Sequence, residues 1–194
     1  MSEIKDFFDK HAENWHTCHK QCDFDAADLA MRKISLNEND LALDVGAGTG
    51  ILIPFIQKYN CSDITAIDLS SEMIKIIQEK FPSVKAICGD YEKEDLFQTE
   101  SFSKIIIYNA FPHFPNPEKI INNAFCQLKK NGILMIAHSM NREKLNLTHK
   151  KAGGIVGNHM LISDTAIEAS FLKAGFSDIE IEDKTYFFAF GTKK

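Results

Sequence analysis

The chain has 194 residues, 44% of them hydrophobic and 25% charged, with a net charge of −5. That length accommodates one domain with a substantial core. The composition excludes dominant disorder, and the acidic balance argues against a nucleic-acid partner, which a basic face would serve.

The longest apolar runs fall well short of the roughly 20 residues of a membrane span. The acidic, polar first nine residues exclude a signal peptide, so no membrane span and a cytoplasmic location are expected. Five cysteines, an odd number, argue against a disulfide framework. Cys61, Cys88 and Cys126 sit among apolar residues and are expected as small core fillers.

In chain order, the first 38 residues are helical. Ile4, Phe7, Phe8, His11, Trp15 and Cys18 recur at helical spacing, and a second helix is expected over 25–34. Segment 1–38 is either an amphipathic helical layer packed on the core of residues 39–194 or a lid over a ligand site. Residues 39–194 alternate β-rich runs with helical patterns, which argues for a mostly parallel sheet. Strands are expected at 41–45, 63–68, 83–88, 102–108 and 132–138, with helices at 51–59, 71–81, 118–129 and 142–151. Ser163 is placed to cap a helix running to Lys173, with Gly175 just past its end. Two final runs, 176–182 and 185–190, are separated only by Asp183 and Lys184, the spacing of a hairpin.

The strongest motif comes directly after the first strand: Asp44, Val45, Gly46, Ala47, Gly48, Thr49, Gly50. Glycines let the backbone turn sharply and approach a ligand closely, and the helix beyond offers free N–H groups. Dinucleotide-binding turns space their glycines as G-x-G-x-x-G, with a pyrophosphate at the helix end. This chain has G-x-G-x-G, with Ile51 where a further glycine would be sought. Asp44, two residues before the first glycine, would repel a pyrophosphate and suits a cationic ligand. A nicotinamide-dependent oxidoreductase is therefore disfavoured.

Residues 41–50 resemble the first motif of the class I S-adenosylmethionine-dependent methyltransferases. In that family an acid ending strand two grips the ribose hydroxyls, and Asp68 matches it. An acid after strand three meets the adenine amino group, and Asp90 matches it. The family's lead-in to strand five, Leu-Lys-Pro-Gly-Gly, is similar to Leu128, Lys129, Lys130, Asn131 and Gly132, with Lys130 for the proline and Asn131 for one glycine. The segments 69–73 and 108–114 resemble the ubiquinone and menaquinone C-methyltransferase branch. The resemblance covers residues 41–191. It implies an α/β, Rossmann-like three-layer sandwich with a seven-stranded, mostly parallel sheet in the order 3-2-1-4-5-7-6, the C-terminal hairpin adding the antiparallel strand. It also implies S-adenosyl-L-methionine as cofactor, contacted by Asp44, Gly46, Gly48, Gly50, Asp68, Leu69, Met73, Asp90, Tyr91 and Asn109. Ala110 and Phe111 stand where DNA amino-methyltransferases carry two prolines, which removes that reading.

The expected acceptor is a small molecule. Its site is expected among Trp15, Cys18, His19, His113, His138, Arg142 and His149. Six of the seven histidines fall in substrate-facing segments, counting His16 and His159. His113 or His138 is the candidate general base for an acceptor that must lose a proton. Cys18, His19, Cys22 and further histidines alternatively suit a soft metal or metalloid ion, either as substrate or as site metal, although C-x-x-x-C alone is a weak ligand pattern. No resident metal is expected. Positioning alone is the third possibility, because methyl transfer needs alignment and water exclusion above all. A domain that binds the cofactor without turnover is the alternative outside catalysis.

Overall fold

In a computed structural model, which describes residues 3–15, 17, 19–93 and 96–194, the apolar runs become one seven-stranded sheet. Its strands are β1 (Leu41–Val45), β2 (Asp63–Asp68), β3 (Lys85–Cys88), β4 (Phe102–Tyr108), β5 (Leu128–His138), β6 (Ser177–Asp183) and β7 (Phe187–Thr192). The spatial order is β3-β2-β1-β4-β5-β7-β6. β1 through β5 run parallel, and β7 is antiparallel to both β5 and β6. This is the architecture expected from the sequence.

The helices are α1 (Glu3–Trp15), α2 (Gln21–Lys33), α3 (Ile53–Lys58), α4 (Ser71–Lys80), α5 (Pro117–Gln127), α6 (Arg142–Ala152) and α7 (Asp164–Ala174). One face of the sheet buries Ala42, Ala66, Ile106, Met135 and Ala137 beneath α2, α3 and α4. The other buries Leu43, Val45, Ile105, Ile107, Leu134 and Ile136 beneath α5 and α7. β4 carries buried side chains on both faces, as a central parallel strand must. Asp28, buried in α2, joins α3 through Lys58 Nζ at 2.6 Å and Tyr59 Oη at 3.2 Å.

Local signals set the helix ends. Ser163 Oγ accepts from Ala166 N at 3.2 Å, and Gly175 closes α7 at φ +105°. Asn116 and Asn141 cap α5 and α6 in the same manner, each at 3.0 Å.

Several expectations shift. The helix expected to reach Lys129 stops at Gln127, because Leu128 already pairs with Phe102 and the next four residues bulge before Ile133 pairs with Lys104. The terminal strands lie later than expected, joined through residues 184–186. Cys61 is buried as a core filler, but Cys88 and Cys126 are exposed. Short apolar neighbourhoods do not reveal which side of a strand end or helix a single residue occupies.

Phe171 is fully buried and 5.0 Å from the Phe176 ring, whereas its neighbour Leu172 is 60% exposed. Phe171→Ala is expected to cost about 3–5 kcal/mol in urea unfolding. Leu172→Ala should stay within about 0.5 kcal/mol of the parent. Equal effects would contradict the packing of α7.

Candidate active site

A cavity of about 770 Å³ opens at the carboxyl ends of the parallel strands, within the range of small-ligand sites. The residues at or just past the ends of β1 (Gly46, Gly48), β2 (Asp68, Leu69), β3 (Asp90), β4 (Asn109) and β5 (Ser139) all line it. Open α/β sheets bind ligands at this edge.

The turn after β1 is held from below and from the side. Gly46 N and Ala47 N donate to the Ile67 carbonyl at 2.9 and 3.1 Å. Gly48 N donates to Asp68 Oδ2 at 2.8 Å, and Ser70 N donates to Asp68 Oδ1 at 2.8 Å. Gly46 (φ +69°) and Gly48 (φ +55°) adopt left-handed backbone. A Cβ at Gly46 would sit 2.6 Å from the Ala110 Cβ, and one at Gly48 would point at the Trp15 indole, 3.6 Å away. Gly50 differs from the expectation for it. It does not line the cavity, and a Cβ there would strike Ile53 and Phe81, so its role is to let α3 pack.

Asp44 lies two residues before the turn and is 1% exposed. Its Oδ2 has no hydrogen-bond partner among the described residues. Burial, and then the charge of Asp68, push its carboxyl up to about 8. A buried acid in this state calls for a cation. Burial also raises Asp68, against the N–H bonds it accepts from Ser70, Gly48 and Leu69.

The remaining expected contacts divide. Leu69, Met73, Asp90 and Asn109 line the cavity. Asn109 takes φ +52°, unusual for a side-chain-bearing residue, and its Oδ1 accepts from Ser139 N at 2.9 Å. Tyr91 borders the cavity, but its hydroxyl is committed to Gln127 Oε1 at 2.8 Å.

Of the residues expected around the acceptor, Trp15, His19, His113 and His149 line the cavity. His138 and Arg142 do not. His138 shares strand parity with Leu134 and Ile136, so it points into the α5–α7 layer at 0% exposure, and Ser139 takes the cavity side. Burial, then the neighbouring His113, push His138 down to about 3. Arg142 is saturated: Nε donates to the Ile162 carbonyl at 2.9 Å, the other nitrogens meet Asp164 and Asp183, and the guanidinium lies over Phe187. It ties α6 to α7 and the terminal hairpin. Cys18 and His16 lie outside the described residues. Cys22 is half-buried, and among the described residues no group of three or more His, Cys, Asp or Glu is arranged to hold a metal ion.

Several cavity residues escaped the sequence. Leu145 and Thr148 join the expected His149 on one face of α6 at the i, i+3, i+4 spacing, a legible signal. Phe8 was legible as part of the apolar face of α1, but not as a cavity wall. Asp23 had no signal; it accepts from Lys20 N at 2.7 Å and from Asn109 Nδ2 at 3.5 Å, joining α2 to the end of β4.

α1 closes the cavity and is latched to α4. Ser70 Oγ donates to Asp9 Oδ1 at 2.6 Å, Glu72 N reaches the same oxygen at 3.3 Å, and Lys5 pairs with Asp9. Burial raises Asp9, but bonds from Lys5, Ser70 and Glu72 outweigh it and hold the carboxyl below its ordinary value.

The model of a methyltransferase domain family matches residues 43–136. The ubiquinone/menaquinone biosynthesis C-methyltransferase of Campylobacter jejuni is 27% identical over 158 residues, covering 74% of this chain and 66% of that protein. These matches support a class I S-adenosylmethionine-dependent methyltransferase, loosely similar to the ubiquinone/menaquinone C-methyltransferases. A malonyl-[acyl-carrier protein] O-methyltransferase of Priestia megaterium is 35% identical over 105 residues, 52% of this chain. The match spans only 38%, 41% and 37% of the first three curated relatives. A possible histamine N-methyltransferase from Thermotoga maritima shares the fold at a TM-score of 0.77 and 20% identity, covering 100% of both chains. A methyltransferase from Aquifex aeolicus does so at 0.74 and 17%, covering 94% of this chain and 98% of that one.

The residues present fit the family's cofactor. Asp44 supplies an unpartnered buried carboxylate oxygen, and Gly46 and Gly48 leave the space a side chain would fill.

The latch yields a pH-dependent expectation. A depressed carboxyl stabilises docking above its ordinary value and loses that contribution as pH falls through the lower, folded value. α1 should therefore loosen only below the usual carboxylate range. Asp9→Asn should weaken docking by roughly 1–2 kcal/mol at neutral pH. Protease cleavage within α1 should accelerate while the core melt holds, and unchanged cleavage would refute the latch.

Proposed function

We propose that this chain transfers a methyl group from S-adenosylmethionine to a small-molecule acceptor held beneath α1. The observation that carries this reading is the convergence of the Gly46–Gly48 backbone, Asp68 and Asp90 at one opening of the sheet, with the unpartnered Asp44 carboxyl buried two residues before the turn.

Bound there, the cofactor supplies a sulfonium-activated methyl group. Asp44 provides the negative charge that a cationic ligand needs in a water-poor site. Asp68 and Asp90 accept hydrogen bonds from the ribose hydroxyls and the adenine amino group. Met73 and Leu69 give the apolar bed. Phe8 and Trp15 exclude water from above, and aligning the acceptor in a dry cavity supplies most of the acceleration. The acceptor end is closed by α1 and α6, which suits a small molecule better than a nucleic acid. A binding module without turnover is the second reading; it would leave His113, His149 and the apolar walls beside them without a task.

Two calorimetric outcomes test the cofactor site. At pH 7 Asp44 is mostly protonated, so the bound cation should displace that proton. Binding enthalpy should then depend on the buffer's ionisation enthalpy, most strongly between the ordinary carboxylate value and about 8. Buffer-independent enthalpy would remove Asp44 as the counter-charge.

Asp68→Ala loses charge-assisted bonds worth about 1.5–3 kcal/mol, so affinity should fall about 10- to 150-fold. Asp68→Asn, which keeps an acceptor for the turn, should fall less. Undiminished affinity in both variants would show that Asp68 does not hold the ribose. Labelled methyl appearing in a small-molecule fraction separates enzyme from binding module.

A further inference from the structure

Three imidazoles meet where α6 and the loop after it close the cavity. His113 ends the 3-10 turn Phe111–His113, His149 lies in the last turn of α6, and His159 comes just after the 3-10 turn Gly154–Asn158. The Nδ1 atoms of His113 and His159 are 2.9 Å apart. The rings of His113 and His149 stack with centroids 5.2 Å apart. Nδ1 of His149 is hydrogen-bonded to the backbone carbonyl of His159.

That last contact decides a tautomer. A carbonyl oxygen only accepts, so Nδ1 of His149 carries the hydrogen. In the neutral ring Nε2 then keeps its lone pair, and His149 lines the cavity. The arrangement is held rigidly. Leu161 N donates to Asn146 Oδ1 at 2.8 Å, binding α6 to the returning chain. Gly153 and Gly154 reverse the chain at φ +64° and +57°, where a side chain would be strained.

Three further imidazoles near this end are poorly placed for a proton. His138 is sealed off. His113 is confined by Phe8, His149 and His159, and burial followed by the charges of His149 and His159 pushes it down to about 3. Burial, then His149, lowers His159. His113, His138 and His159 each feel His149, and burial holds all three towards the neutral form. α1 contributes the uncharged Phe8 ring on this side.

We propose that His149 is the general base for a flat, uncharged acceptor carrying a phenol-type hydroxyl; this deepens, and rests on, the methyl-transfer reading. Phe8, Phe114 and Leu145 wall that end of the cavity, and aromatic walls favour a flat ring. An uncharged acceptor still carries the hydroxyl proton that a base has to take. In the step, the acceptor oxygen bonds to the methyl carbon as the carbon–sulfur bond breaks. The bonding pair stays on sulfur and cancels its positive charge. The hydroxyl proton moves to Nε2 of His149 and later leaves to water.

The test uses the whole protein, S-adenosylmethionine and phenols graded in acidity from 4-nitrophenol to 4-methoxyphenol, with S-adenosylhomocysteine release as readout. The parent should methylate the series with weak dependence on phenol acidity, its pH profile bending below each phenol's own ionisation. His149→Gln should keep cofactor affinity and the thermal melt. It should lose about 10²- to 10⁴-fold on 4-methoxyphenol, lose far less on 4-nitrophenol, and bend only as the phenol itself ionises. An equal loss across the series, or none, overturns the base. Cofactor binding without turnover of any phenol overturns the acceptor class, whereas no cofactor binding fails the methyltransferase reading itself. Nitrogen-15 spectra of the parent supply an independent arm that needs no variant. They should show His149 with Nδ1 protonated and Nε2 bare, and the reverse tautomer overturns the proposal.

Discussion

The site depends on the chain reversing within residues 46–50 while remaining bonded to the neighbouring strand. The Ile67 carbonyl and the Asp68 carboxylate take the N–H groups of Gly46, Ala47 and Gly48. The turn therefore cannot move without β2, and β2 is registered on β1 by residues 63–67. Left-handed backbone at Gly46 and Gly48 is what makes the reversal this tight. Because β1 sits centrally, between β2 and β4, the turn opens where the ends of the neighbouring strands converge.

That geometry leaves an unfavourable electrostatic arrangement inside the protein. Asp44 is buried beside Asp68, with one oxygen unpartnered among the described residues. Two carboxyls in low dielectric resist joint ionisation. A hydrophobic residue at position 44 would pack more comfortably, so an acid there makes sense as an arrangement completed by a cationic ligand. The unfavourable state of the free protein becomes differential affinity when that ligand arrives.

The covering helix is mechanically continuous with this turn. Asp9 of α1 accepts from the Ser70 hydroxyl, Ser70 N donates to Asp68, and Asp68 accepts from Gly48 N. Ser70 also caps α4, its Oγ accepting from Met73 N at 3.1 Å. One short run after β2 thus positions the acid proposed for the ribose, starts a helix and anchors the cover. At the other end of the cavity, α6 and its returning loop hold the three imidazoles.

The sequence by itself determined the sheet, its topology, and the ligand edge. Periodicity, caps such as Ser163 and Gly175, and the spacing of Asp44, Gly46, Gly48, Asp68 and Asp90 are local properties, and local properties survive translation into structure. It did not determine which polar residues near the acceptor face the cavity. His138 and Arg142 lie in the right segments, but strand parity turns His138 into the core and three partners claim Arg142. Gly50 belongs to the motif yet serves the packing of α3 against Phe81. The latch from Asp9 to Ser70 joins residues 61 positions apart, and the contact of His113 with His159 joins residues 46 apart. Pairings of that range leave no periodic trace, because they depend on how α1 and the α6 loop dock on the finished sheet. Only the tertiary structure decided them.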